Sequence, residues 1–291
     1  MAKEAWGRWG EGDEAGAINL IDAAKVRSAV GLVREGRVVT LAQPLSSKTP
    51  LPPHRTPLIH LMGRDGGDYA AGGKRPGGFQ FAEDTVVVPL HFGTHIDALC
   101  HAWYDDELYN GFSGNTVRST TAAAHCGIDK MPPIVSRGVF LDFVRLKGGR
   151  LAPGTAIGRA DVEAALDAAH AEIERGDVVL LRTGWLEDAI ASAAPRFDAE
   201  PGIDEDAAEF LAAAGAATIG ADNFAVEVLP FAKGKVFPVH QRLIRDHGVA
   251  LIEGLMVKPL ADAGATLFCF MAAPLPIVGG TGSPLAPLAI L

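Results

Sequence analysis

The sequence predicts a mixed α/β fold in a single domain, and three observations carry that prediction. From Arg137 onward, short apolar runs alternate with segments of helical periodicity. The portion before it is richer in strand and turn formers, which departs from a plain doubly wound sheet. A chain of 291 residues, 48% of them hydrophobic, can bury a sizeable core, and no linker forces it into two parts.

Taken in order, about the first 40 residues form an N-terminal arm with Trp6 and Trp9, suited either to clamp another subunit or to pack on its own chain. Residues 51–81 carry many Gly and Pro residues and few apolar periods, so they read as a long loop placed to cover a pocket. Within it His54, Arg55 and His60 are candidates to touch a ligand, with solvated loop positions as the default. Residues 85–90 read as a short buried strand, β-branched and ended by Pro89. A strand is expected over 138–143 and a helix over 161–174, with Val162, Ala165, Leu166, Ala169 and Ile173 on one face and Gly176 as its stop. The next strand spans 177–183. A second unit follows: a helix over 204–214 closed by Gly215, a buried strand over 218–220, a helix around 241–246, a strand over 249–252 and a last strand over 266–271. The Gly-rich segment 279–283 precedes Pro284 rather than a helix and reads as a structural C-terminal loop.

The most informative stretch is His91-Phe92-Gly93-Thr94-His95-Ile96-Asp97-Ala98-Leu99-Cys100-His101, with imidazoles and a carboxylate at i, i+4, i+6 and i+10. An isolated His is usually a satisfied structural residue, and an HxxxH pair recurs by chance. Four N and O donors within eleven residues are far less accidental, and they are donors that zinc, manganese and iron(II) accept. Cys100, inside the motif, is better read as a small buried side chain than as a soft ligand.

This stretch resembles the HxGTHxDxPxH signature of the metal-dependent cyclase family, which includes kynurenine formamidases and isatin hydrolases. One position departs, Leu99 standing where the family has Pro. The resemblance extends to Trp9-Gly10, Asp13-Glu14, Asn19-Leu20, Tyr109-Asn110-Gly111, Arg137-Gly138-Val139 and Thr281-Gly282-Ser283-Pro284. It implies the swivelling β/β/α fold and a homodimer or homotetramer. It also implies metal ligands at His91, His95, Asp97, His240 and Glu253, with Gln241 as an alternative ligand in a one-metal arrangement. The cofactor is then a divalent metal, Zn²⁺ or Mn²⁺, as one ion or as two bridged by Asp97.

The chemistry that follows is hydrolysis of a non-peptide C–N bond in an N-formyl or cyclic amide. A bound divalent metal brings the pKa of its water from about 15.7 to near 7, and the resulting hydroxide would attack the carbonyl. His101 is the candidate general base and then acid. Trp103, Tyr104 and Phe112 are candidates to line the substrate pocket. The alternatives are a cyclase or dehydratase using the same metal, and a catalytically silent metal-binding protein.

Composition limits other functions. A net charge of −9 with no run of Lys or Arg argues against nucleic-acid binding and for a small-molecule amide as partner. No stretch approaches the roughly 18 apolar residues of a membrane span, and the start lacks a signal-peptide pattern. With three scattered cysteines, a cytoplasmic location is expected. Nucleophile-elbow, phosphate-loop and dinucleotide-turn motifs are lacking.

Overall fold

A computed structural model describes residues 5–291, and its architecture is mixed α/β, as the sequence predicts. A nine-stranded sheet runs, in spatial order, Val38–Thr40, Leu288–Ile290, Leu267–Ala272, Ile134–Asp142, Val178–Arg182, Thr218–Ala221, Ala250–Glu253, His95–Asp97 and Gly282–Pro284. The four strands from Ile134–Asp142 to Ala250–Glu253 are mutually parallel, and both flanks are antiparallel.

Val178 to Leu181 are fully buried, as a parallel strand covered on both faces demands. Burying each such side chain contributes about 1.5–3 kcal/mol. The helix Arg159–Ala169 packs on Ile134–Asp142 through the predicted face, with Val162, Ala165 and Leu166 buried. It stops earlier than expected, because His170 adopts a left-handed backbone (φ 50°) and caps it, while Gly176 serves a later turn. The helix Glu205–Ala214 is closed by a left-handed Gly215, as predicted, and Asp204, expected as its first residue, is its N-cap.

The chain departs from expectation before the motif and at its end. The predicted buried strand is instead Glu83–Val87, exposed throughout, paired with Ile59–Arg64 in a two-stranded ribbon outside the main sheet. Its β-branched run fits a strand but does not specify what covers it. The expected loop therefore holds a strand and the short helix Gly66–Ala70. At the C-terminus the segment read as a loop is strand Gly282–Pro284, and Leu288–Ile290 adds another.

The N-terminal arm is fastened to its own chain. Asn110 Nδ2 donates to the carbonyls of Gly10, Glu11 and Asp13 at 2.9, 3.2 and 3.0 Å, and Tyr109 Oη donates to Asp13 Oδ2 at 2.9 Å. Trp6 Nε1 donates to the Arg245 carbonyl at 2.9 Å. These bonds give structural roles to several residues that carry the family resemblance. Another, Arg137, forms a forked ion pair with buried Asp177 through Nε (3.0 Å) and an Nη (2.7 Å).

Candidate metal centre

Alternation along a strand puts His95 and Asp97 on one face of His95–Asp97 and sends Ile96 into the core on the other. The strand therefore starts inside the motif; the ligands do not follow the end of a preceding strand, as the sequence suggested. Its antiparallel neighbour pairs Glu253 with His95, and on its other side Gly282 pairs with Asp97. His91 reaches the same face across a turn at Gly93 (φ 60°), and His101 across a turn closed by its own N–H to the Ala98 carbonyl at 2.9 Å. His240 enters from the last residue of the short helix Pro238–His240, which runs into a π-helical turn, Gln241–Asp246.

The six side chains named for ligation or proton transfer thus converge, although they come from two distant parts of the sequence. His91 Nδ1 lies 2.8 Å from Asp97 Oδ1. His95 Nε2 lies 3.0 Å from Glu253 Oε2 and 3.7 Å from Asp97 Oδ1. His240 Nε2 lies 3.2 Å from Glu253 Oε1 and 3.7 Å from Asp97 Oδ2. Two triads have all their ligand atoms within 4.8 Å of one another: His91, Asp97 and His101, and Asp97, His240 and Glu253. Asp97 belongs to both.

Hydrogen bonds orient the imidazoles. His95 Nδ1 donates to the Gly93 carbonyl at 2.9 Å, turning Nε2 to the carboxylates. Sequence reasoning missed Glu227, whose Oε1 is 2.5 Å from His240 Nδ1 and whose carboxylate also accepts the N–H groups of Val239 and His240 at 3.1 Å each. A buried carboxylate behind a ligand imidazole is a common orienting device, and this one is 1% exposed. Its position thirteen residues before His240 gave no local signal.

The donor set fits a divalent cation. Asp97 Oδ2 and His95 Nε2 are buried and lack any hydrogen-bond partner, a costly arrangement unless a positive ion satisfies them. The 3.0 Å approach of His95 to Glu253 lacks hydrogen-bond geometry, so proximity alone does not satisfy the imidazole.

Burial opposes charge throughout the site, yet neighbours decide the outcome. Burial would raise the Asp97 carboxyl, but His101, His91 and His95 hold it well below the usual carboxylate range. Burial and Asp97 push Glu253 upward, and His240 with His95 reverse that. Burial would depress His240, but Glu227 and Glu253 raise it to about 10. His95 is raised in the same way by Glu253 and Asp97 against its burial. His101 differs: burial, aided by His91 and His240, outweighs Asp97 and lowers it to about 4.

The cluster opens on a cavity of about 380 Å³ walled by Arg55, Ala102, Trp103, Phe224, Val236 and Phe237, with His101, His240, Gln241 and Glu253 at its base. Of the predicted aromatics only Trp103 lines it. Tyr104 lines the neighbouring cavity and donates to Asp246 at 2.8 Å, while Phe112 stacks on His125 with ring centroids 4.3 Å apart. Gln241 donates its side-chain amide to the Val236 carbonyl at 2.8 Å. In the expected loop His54 is exposed, and His60 pairs with Asp84 on the ribbon. Cys100 is buried, its thiol raised to about 12 chiefly by burial.

A mixed sheet whose strands carry a buried set of imidazoles and carboxylates at the base of an apolar cavity defines a candidate metalloenzyme. Residues 39–228 match the family described as "Putative cyclase", and the chain belongs to that Cyclase family. It is 30% identical over 222 residues to the isatin hydrolase of Roseibium aggregatum, covering 72% of this chain and 75% of that one. A crystal structure of a novel cyclase is 36% identical, with a TM-score of 0.92 over 98% of this chain and 99% of its own. Isatin hydrolase A from Ralstonia solanacearum shares the fold at 23% identity, with a TM-score of 0.66 over 92% and 95% of the two chains. Among the described residues no helix is long and apolar enough to cross a membrane.

Proposed function

We propose that this chain is a metal-dependent hydrolase of a non-peptide C–N bond in a small cyclic or N-formyl amide, acting as a single domain. The observation that carries this reading is the pair of orphaned buried atoms, His95 Nε2 and Asp97 Oδ2, at the centre of a convergent ligand set below an apolar cavity. His91, His95, Asp97, His240 and Glu253 would hold Zn²⁺ or Mn²⁺. A divalent ion there would acidify a water and polarise the amide carbonyl.

The residues do the rest. Glu227 holds Nδ1 of His240 and so aims Nε2 at the carboxylates. His101, its pKa depressed to about 4, is neutral at pH 7 and free to accept a proton. It takes that proton from the attacking water and passes it to the amide nitrogen as the C–N bond breaks. Trp103, Phe224 and Phe237 hold a planar apolar body against the base of the cavity.

A second reading has its own support, because His101 shares a ligand triad with His91 and Asp97. In it His101 would join His91 and Asp97 in holding a second ion. Elemental analysis of wild type and His101→Ala, with assays on isatin and N-formylkynurenine, separates the readings. A general base predicts unchanged metal content and a loss of turnover of about 10²- to 10⁴-fold. Loss of one of two ions would transfer His101 to the ligands. Absence of activity on any amide with any divalent metal would sink the hydrolase reading.

We also propose that the protein works in the cytoplasm as a homodimer or homotetramer. The ribbon Ile59–Arg64 with Glu83–Val87 supports self-association: Ile59, Leu61 and Val87 share one exposed face, and Met62 and Val86 the other. A two-stranded ribbon is marginal in water without something to pack against.

A further inference from the structure

Arg55 differs from the buried guanidinium groups, all of which have carboxylate partners. Arg137 is paired with Asp177 and Glu174, Arg182 with Asp142 and Glu187, and Arg245 with Glu107 and Asp246. Arg55 is half-buried, yet among the described residues no carboxylate lies within ion-pairing distance of it. One Nη donates to the His91 carbonyl, and the guanidinium carbon lies 5.0 Å from the centroid of the Phe224 ring. The rest of its donor fork has no partner among the described residues, and the residue lines the cavity above the candidate metal ligands.

This placement is held from both sides. The Arg55 N–H is bonded to the Pro52 carbonyl at 3.0 Å. Phe224 is fixed by buried Glu200, whose carboxylate accepts the N–H groups of Phe224 and Ala225 at 3.0 and 2.7 Å. Among the described residues Glu253 is the one carboxylate lining the same cavity, and it lies 3.0 Å from His95 Nε2 and 3.2 Å from His240 Nε2. A shielded cation held on an aromatic platform without a counter-charge is suited to receive one from a ligand, and the guanidinium fork matches a carboxylate.

We propose that Arg55 recognises a carboxylate on the substrate, so that the preferred substrates are small aromatic amides bearing a carboxylate beside the scissile C–N bond. The aromatic body would lie among Trp103, Phe224 and Phe237, its carboxylate on Arg55 and its amide toward His101. This inference rests on the hydrolase reading above for the identity of the reacting bond, but not for the binding of the anion.

The test uses the metal-loaded full chain and Arg55→Met and Arg55→Lys variants, with 2-formamidobenzoate against neutral formanilide as substrates. Removing a charge-assisted hydrogen bond to a carboxylate is expected to raise KM for 2-formamidobenzoate about 10- to 100-fold in Arg55→Met, with kcat nearly unchanged. KM for formanilide should stay within about 3-fold, and Arg55→Lys should recover part of the loss, as a point charge without the fork. Equal losses on both substrates, or none on either, would overturn the inference. Calorimetric titration with 2-aminobenzoate and aniline gives a readout that needs no turnover. Wild type should prefer 2-aminobenzoate, and Arg55→Met should lose that preference. If the preference survives in Arg55→Met, the metal rather than Arg55 holds the carboxylate and the proposal fails. If wild type hydrolyses neither amide but the preference depends on Arg55, the hydrolase reading fails and the anion site stands.

Discussion

At the level of single residues, the imidazoles and carboxylates of the candidate metal centre set one another's protonation. His240, raised to about 10 by Glu227 and Glu253 against its burial, carries a proton at neutral pH, and Glu253 and Asp97 shift His95 in the same direction. A metal ion taken up by His240 must displace that proton, so titration calorimetry near pH 7 in buffers of different ionisation enthalpy should show release of about one proton per ion. Affinity should therefore rise with pH; a pH-independent affinity would contradict the arrangement. Gly282 gives a second prediction. A Cβ there would stand 2.7 Å from His91 Cε1 and 2.8 Å from the Ile96 carbonyl. Gly282→Ala should displace His91 and weaken metal binding by about tenfold or more, on the scale of other disturbed ligand supports. Metal retention equal to wild type would show that His91 tolerates the shift.

Individual residues were unequally legible in the sequence. His91, His95, Asp97 and His101 crowd into eleven positions, and such a cluster of ligand atoms is a chemical signal that needs no knowledge of the fold. His240 and Glu253 came only through family resemblance, because a single His and a single Glu carry no pattern of their own. Glu227, Phe224 and Phe237 meet the site only after the sheet has formed. Arg55 was visible as a loop cation, but its lack of a counter-charge is a fact about three dimensions.

Among the elements, helices and central strands were legible where periodicity and capping agree, as in Glu205–Ala214 between Asp204 and Gly215. The strand Gly282–Pro284 was not, since three residues of Gly, Ser and Pro have little strand character and owe their conformation to pairing with His95–Asp97. One junction carries a pH signature. Asp222, at the end of Thr218–Ala221, accepts from Thr183 N and Oγ1 and from Gly184 N at 2.8, 2.7 and 2.7 Å. Burial nevertheless outweighs those donors and raises it from 3.8 to about 6. A carboxyl raised on folding contributes stability that is fully present below its unfolded pKa and lost as pH rises through the folded one. The stability of wild type relative to Asp222→Asn should thus fall by about 2 kcal/mol between pH 4 and 7. Urea denaturation at several pH values measures this, and an offset constant across the range would refute it.

For the molecule as a whole, the exposed ribbon is the feature that sequence reasoning placed inside. Three consecutive valines fit a strand equally well whether its cover is the chain's own core or another surface. If that surface is a second copy, Leu61→Glu, which puts a charge on the face shared with Ile59 and Val87, should shift the protein to monomer. Light scattering coupled to size exclusion reads this directly, and a wild type that is already monomeric would refute the self-association reading.

The pairing of His95–Asp97 between its two antiparallel neighbours has one more consequence. Moving that strand by a single residue would turn Ile96 toward the cavity and send His95 and Asp97 into the hydrocarbon interior. The error would bury two ionisable groups and dismantle the ligand set at once, so a mispaired chain has no partially active form. In any preparation, the active fraction should equal the fraction that has found the right alignment.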